Sequence, residues 1–132
     1  MNKQLTLRKP RFIEIDQLLP EQHCYNIYGI ITSLKKVNYK NKKGLNQEGF
    51  EGVIADGSGC VNFRIRKDKA GALKENTVVA IRNGLSNFYD SHILLEVDIF
   101  GFVTEESRSK IDKINTSNNI SKIEWEKRPK NN

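Results

Sequence analysis

Phe50-Glu51-Gly52-Val53-Ile54-Ala55-Asp56-Gly57-Ser58-Gly59-Cys60-Val61-Asn62-Phe63-Arg64-Ile65-Arg66 is the stretch whose reading decides the fold. Phe50 to Ala55 has strand composition and stops at Asp56-Gly57-Ser58-Gly59, whose glycines supply positive φ at little cost; a tight turn is expected there. Cys60 to Arg66 then alternates cleanly. Val61, Phe63 and Ile65 share one face, and Asn62, Arg64 and Arg66 the other. The pair reads as a β-hairpin whose second strand turns one side to a core and presents two arginines outward.

Working outward, Tyr25 to Leu34 is rich in β-branched and aromatic residues and reads as the first strand, with Gly29 marking a bend or coil. Between this strand and Phe50 lies Asn38-Tyr39-Lys40-Asn41-Lys42-Lys43-Gly44, a polar loop with one aromatic among three lysines. It is either a solvated hairpin tip or a phosphate-contacting loop. Downstream, Lys67 to Leu73 has room for one helical turn. Thr77 to Asn83 follows as a fourth strand, Gly84 to Ser91 as a loop, and His92 to Val103 as a fifth strand. In the last of these Ile93, Leu95, Val97 and Ile99 alternate against Leu94, Glu96, Asp98 and Phe100. Five strands with a short helical element between the third and fourth predict an all-β protein. The pattern is that of a single OB-fold, a partly open Greek-key barrel. An SH3-like barrel is the structural rival, but its shorter strands and lack of an insert at that position fit less well. The expected division is a flexible N-terminus at 1–10, the barrel at 11–104 and a mostly disordered polar tail at 105–132.

Composition narrows the function. A chain of 132 residues with 37% hydrophobic content and a mean hydropathy of −0.59 supports one domain with a small core. No stretch approaches the ~20 apolar residues a membrane span needs, and the opening residues lack the apolar run of a secretory signal, so an intracellular protein with no membrane partner is expected. Cys24 and Cys60 are too few and too far apart for a disulfide scaffold or a metal site. His23 and His92 belong to no acid–base pattern, Gly57-Ser58-Gly59 is a turn and not a phosphate cradle, and Ser58 has no nucleophile-elbow context. A non-catalytic protein without cofactor or metal follows. A net charge of +6 favours polyanionic partners. In the tail, Asn115-Thr116-Ser117-Asn118-Asn119 breaks any helix, and Trp125 either packs back on the barrel or anchors a partner protein.

The order of residues also resembles a known family. Arg11-Phe12-Ile13-Glu14-Ile15-Asp16-Gln17-Leu18-Leu19-Pro20 followed by Tyr25-Asn26-Ile27-Tyr28-Gly29-Ile30-Ile31 is similar to the entry of OB-folds of the replication protein A type. Glu51 to Ile65, and Leu73 to Gly84, look like the SOSS-B single-stranded-DNA-binding proteins. The likeness spans about Phe12 to Val103. It implies base stacking at the end of the third strand, on the fourth strand with its following loop, and on the fifth strand. The corresponding positions here are Arg66, Leu85 and Glu96. The loop aromatic falls on Tyr89, with Phe88 beside it as platform or loop anchor.

Single-strand binding in an OB-fold needs cations along the backbone path and flat surfaces for bases. The candidate cations are Lys40, Lys42, Lys43, Arg64 and Arg66, and the candidate platforms are Tyr39, Tyr89 and Phe88. Tyr28 serves either as a platform or in barrel packing. Arg guanidinium also stacks on bases, so Arg66 can stand in for a ring. The expectation is a nuclear DNA-binding accessory subunit, single-stranded DNA favoured and RNA not excluded, working with partner proteins of a larger complex in repair, telomere maintenance, replication or DNA modification. The alternative is a protein-interaction OB-fold that binds little nucleic acid itself.

Overall fold

The computed structural model describes residues 11–41, 43–71, 73–97, 100–106 and 111–126, without the side chains of 22–24. In chain order it contains a 3-10 turn at Ile15–Gln17, β1 (Gln22–Lys40), β2 (Asn46–Ala55), β3 (Cys60–Arg66), α1 (Lys67–Ala70), β4 (Val78–Tyr89), β5 (His92–Val97), β6 (Phe102–Glu105) and a 3-10 turn at Ile120–Lys122. The sheet runs β1-β2-β3-β5-β4 and returns to β1, so it closes on itself. β3 and β5 are parallel and the remaining pairs antiparallel. This is the OB-fold read from the strand count, with α1 where the helical turn is expected.

β1 makes closure possible because it belongs to both halves of the barrel. Its first half pairs with β4 as far as Ile30, and its second half pairs with β2 from Ile30 to Lys40. The change of partner falls beside Gly29, where any Cβ would run into the Ile54 side chain, and beside a register shift between Ile31 and Ser33. Gly52 sits under the Ser33 carbonyl on the neighbouring strand, again where a side chain has no room. Bulges and close backbone approaches of this kind let a strand coil without losing its ladder.

The alternation in β3 holds: Val61, Phe63 and Ile65 are fully buried while Arg64 and Arg66 face outward. Ile27, Ile31, Ile54, Ile81, Ile93 and Leu95 complete the barrel interior. Each such side chain contributes roughly 1.5–3 kcal/mol on burial. Ile15 and Leu18 close the bottom from the N-terminal side.

Three extents differ from the sequence reading. The lysine loop shortens to 41–45, because Asn41 Oδ1 accepts from the amides of Lys43 and Leu45 and lets the strands pair out to Lys40 and Asn46. The loop expected at 84–91 is mostly strand. β4 continues to Tyr89, and the chain reverses in two residues, Asp90 and Ser91, both at positive φ. The fifth strand divides into β5 and β6, with Gly101 packed under the Asn83 carbonyl between them.

The stretch expected as a polar tail contains an ordered portion. Ile120 is buried in the core at 4% exposure and Trp125 packs against it. β5 pairs with β3 only from Phe63 to Ile65, so the start of β3 lacks a strand neighbour on that side. The tail supplies one: the Cys60 amide donates to the Asn118 carbonyl at 2.9 Å, and the Asn62 amide to Ser121 Oγ at 2.9 Å. Asp56 ties both chain ends to the β2–β3 turn. Its carboxylate accepts from Ile15 N, Ser58 N, Ser58 Oγ and Gly59 N, and its carbonyl from Asn115 N. The expected flexible N-terminus, 1–10, lies outside the described residues.

Candidate nucleic-acid interface

The β1–β2 hairpin and the β4–β5 hairpin stand as walls on either side of β3 and β5. Between them is a groove of about 650 Å³ lined by Tyr39, Lys40, Lys43, Arg64, Arg66 and Tyr89, together with Leu45, Gln47, Leu85, Asn87 and Glu96. Six of the candidate cations and platforms therefore meet in one place, with Leu85 and Glu96 beside them. Lys42 lies outside the described residues. Phe88 does not join them: on β4, Leu85, Asn87 and Tyr89 line the groove, and alternation puts Phe88 on the opposite side, half-buried. Tyr28 is stacked on Phe12 with ring centroids 3.9 Å apart and lines a different hollow. Trp125 takes the packing alternative, its backbone amide donating to the Ser91 carbonyl at 2.9 Å.

The centre of the groove is Arg64. Its guanidinium carbon lies 4.1 Å from the Tyr39 ring centroid and 5.3 Å from that of Tyr89. Its Nη2 donates to the Tyr89 hydroxyl at 3.3 Å and to Glu96 Oε2 at 3.4 Å, while Nη1 is 3.9 Å from Glu51. Arg64 and Glu96 are register partners on β3 and β5, so strand pairing sets their spacing. Glu96 Oε1 accepts from Asn87 Nδ2 at 2.8 Å and from the Tyr89 hydroxyl at 2.6 Å. Burial, then the hydrogen bond and charge of Glu96, push the Tyr89 phenol up to about 12. Burial also raises Tyr39, with Arg64 opposing it.

The cations differ in how free they are. Arg64 is paired with Glu96 and Glu51, and Arg66 with Asp68 at 2.9 Å. Lys40 and Lys43 are exposed and form no ion pair among the described residues. The sequence reading places all of them along the phosphate path and gives Arg66 a second role as a stand-in for a ring; the structure assigns the uncompensated charge to the lysines. The arginine that lies over the aromatic rings of the groove is Arg64, where the sequence reading gives that place to Arg66. Asn87 and Gln47 were missed from sequence, since a polar residue in an expected loop carries no signal of direction.

Nothing among the described residues gathers three or more metal-ligating side chains. No helix among them is long and apolar enough to cross a membrane.

Comparison with known proteins follows the same lines. An uncharacterised Arabidopsis thaliana protein is 24% identical over 129 residues, covering 90% of this chain and 84% of its own length. The solution structure of a hypothetical protein from the same plant superposes with a TM-score of 0.72 at 22% identity, covering 100% of this chain and 97% of its own. A replication protein A heterotrimer bound to single-stranded DNA contains a chain that matches with a TM-score of 0.60 at 19% identity, over 73% of this chain and 25% of that one. At these identities the solved structures establish the fold. The family model for Ssb-like single-stranded DNA-binding proteins with an OB fold matches residues 18–105, the whole closed sheet apart from its C-terminal brace, and the chain belongs to that family.

Proposed function

We propose that this chain binds single-stranded DNA in the groove between its two hairpins and has no catalytic activity of its own. In this reading it acts as an accessory subunit that holds opened DNA for a partner in a nuclear DNA-processing complex. The observation that carries the reading is the meeting of Lys40, Lys43, Arg64, Arg66, Tyr39 and Tyr89 in one groove, in a chain of a single-stranded-DNA-binding family. The lysines at the rim suit a phosphate path. Tyr39, Tyr89 and the guanidinium lying on Tyr39 offer flat surfaces. Stacking contributes roughly 1–3 kcal/mol per base, so this short set of platforms supports modest affinity. A partner that adds its own contacts would raise it through effective concentration.

The test is titration of the full chain with labelled single-stranded DNA, duplex DNA and RNA at two salt concentrations. Tighter binding to single strands, with an affinity that falls linearly in log–log against salt, supports the reading. No binding of any of them at low salt refutes it. A second reading, a protein-interaction OB-fold, draws on Arg64, which already covers Tyr39 and approaches Tyr89 and so competes with bases for both rings. Copurification of a stoichiometric partner, with no DNA binding, is the outcome that favours it.

A further inference from the structure

We propose that Glu96, held beside Arg64, reads the edge of a base and makes the groove selective for bases bearing an exocyclic amine, cytosine foremost, over thymine and uracil. This deepens the function proposed above and rests on it. Glu96 is the single acid among the described residues lining the groove. A carboxylate repels phosphate, so in a backbone-binding groove it weakens attraction unless it faces something else.

The surroundings of Glu96 are those of a placed group. Its side chain is 16% exposed. Donors from both neighbouring strands converge on it: Asn87 and Tyr89 from β4, Arg64 from β3. Oε1 takes two short hydrogen bonds, whereas Oε2 meets only the 3.4 Å contact of Arg64. A carboxylate has about four lone-pair positions, so Oε2 keeps acceptor capacity. Arg64 Nη1 makes only the 3.9 Å contact with Glu51 and keeps donor capacity. An acceptor thus stands beside a donor on register partners of adjacent strands, and the guanidinium that carries the donor lies 4.1 Å from the Tyr39 ring centroid and 5.3 Å from that of Tyr89.

That pattern complements cytosine, whose edge presents the N4 amine next to the N3 and O2 acceptors. A carboxylate accepting from cytosine N4 is an established pairing. Thymine and uracil place a carbonyl oxygen where the amine would be, and that oxygen faces Glu96 Oε2 with like polarity. Guanine and adenine carry amines too and are accepted by the same group. Selectivity would then come from one side chain that adds nothing to overall affinity for phosphate.

The test uses the full chain and competition anisotropy at neutral pH. Its strands are oligodeoxycytidine, oligothymidine and a cytosine-analogue strand lacking only the 4-amino group, all of equal length. The wild type should prefer oligodeoxycytidine over oligothymidine by on the order of tenfold. The analogue strand should lose most of that preference and bind closer to oligothymidine than to oligodeoxycytidine. Glu96→Gln should cut the preference to about twofold or less, because an amide can also donate to a thymine carbonyl. Equal binding of the three strands by the wild type overturns the inference. So does a Glu96→Gln variant that tightens both natural strands by one factor, which would make Glu96 a mere counter-ion of Arg64. If that variant fails to fold, the analogue strand on the wild type decides alone. No binding of any strand overturns the proposed function and this inference with it, whereas binding without preference overturns this inference only.

Discussion

Replacing Lys40 and Lys43 together by glutamine should flatten the salt dependence of single-strand binding, and replacing Arg64 should not. Only a cation not already compensated by a carboxylate adds fully to counterion release when phosphate binds. Arg64 already has Glu96 at 3.4 Å and Glu51 at 3.9 Å, so a phosphate reaching it must compete with two carboxylates. Lys40 and Lys43 face solvent at the rim of the same groove. Each phosphate neutralised on a single strand contributes about 0.7 to the slope of log affinity against log salt, so the two lysines together contribute about 1.4. A tenfold rise in salt should therefore cost the wild type about 25-fold more affinity than it costs the double variant. Fluorescence anisotropy with a labelled mixed-sequence strand across a salt series measures this directly. Arg64→Gln should change the slope by less than about half a unit. Equal slopes for the wild type and the lysine variant would refute the assignment of the free charge. An Arg64→Gln variant that lost as much slope as the lysine pair would refute it equally.

Tyr89 should resist ionisation up to about pH 12 in an ultraviolet titration. Because its folded value is raised, the stability it contributes is complete below the ordinary phenol value of 10.0 and is lost as pH climbs from there through about 12. Glu96→Gln should bring the Tyr89 titration down toward the ordinary value, and an unmoved titration would contradict the role given to that carboxylate. Ile120→Ala should destabilise the protein by about 2–5 kcal/mol in urea unfolding, as for a core residue, although it lies well beyond the last strand. A change below about 0.5 kcal/mol would mean that the C-terminal segment does not pack in solution. Asp56→Ala should cost about 1–3 kcal/mol, since it strands the Ile15, Ser58 and Gly59 amides, and Asp56→Asn should recover part of that loss.

What could be read in the sequence was whatever alternates. Val61, Phe63 and Ile65 against Asn62, Arg64 and Arg66 fixed a strand and its faces, and Ile93, Leu95 and Val97 fixed another. Together they locate the floor of the groove. The second half of β4 could not be read this way because Ser86 occupies a fully buried position. Its hydroxyl donates to the Leu19 carbonyl, so a polar residue does what an apolar one would do in a periodic strand. The C-terminal segment failed for a related reason. Asn115, Asn118 and Asn119 look like helix breakers, yet Asn115 and Asn119 accept backbone amides and Asn118 donates to the Ser58 carbonyl. Composition registers such groups as solvent-seeking; only the opposite partner shows otherwise. Arg64 and Arg66 were visible as outward cations, but the carboxylate partners of Arg64 come from β2 and β5, and sequence separation hides them; Asp68 stands only two residues after Arg66, yet composition does not show that the start of α1 turns it back onto the guanidinium.

The brace formed by residues 118–121 along the start of β3 bears on where this domain can be cut. The family match ends at residue 105. A fragment trimmed to that boundary would keep every rung of the closed sheet. It would also expose two backbone donors, Cys60 N and Asn62 N, that the longer chain satisfies, and would open the hollow that Ile120 fills. An unpaired strand edge beside an apolar opening invites pairing with another molecule. The packed unit is thus longer than its sheet, and the residues that cover this edge are among those that look most dispensable.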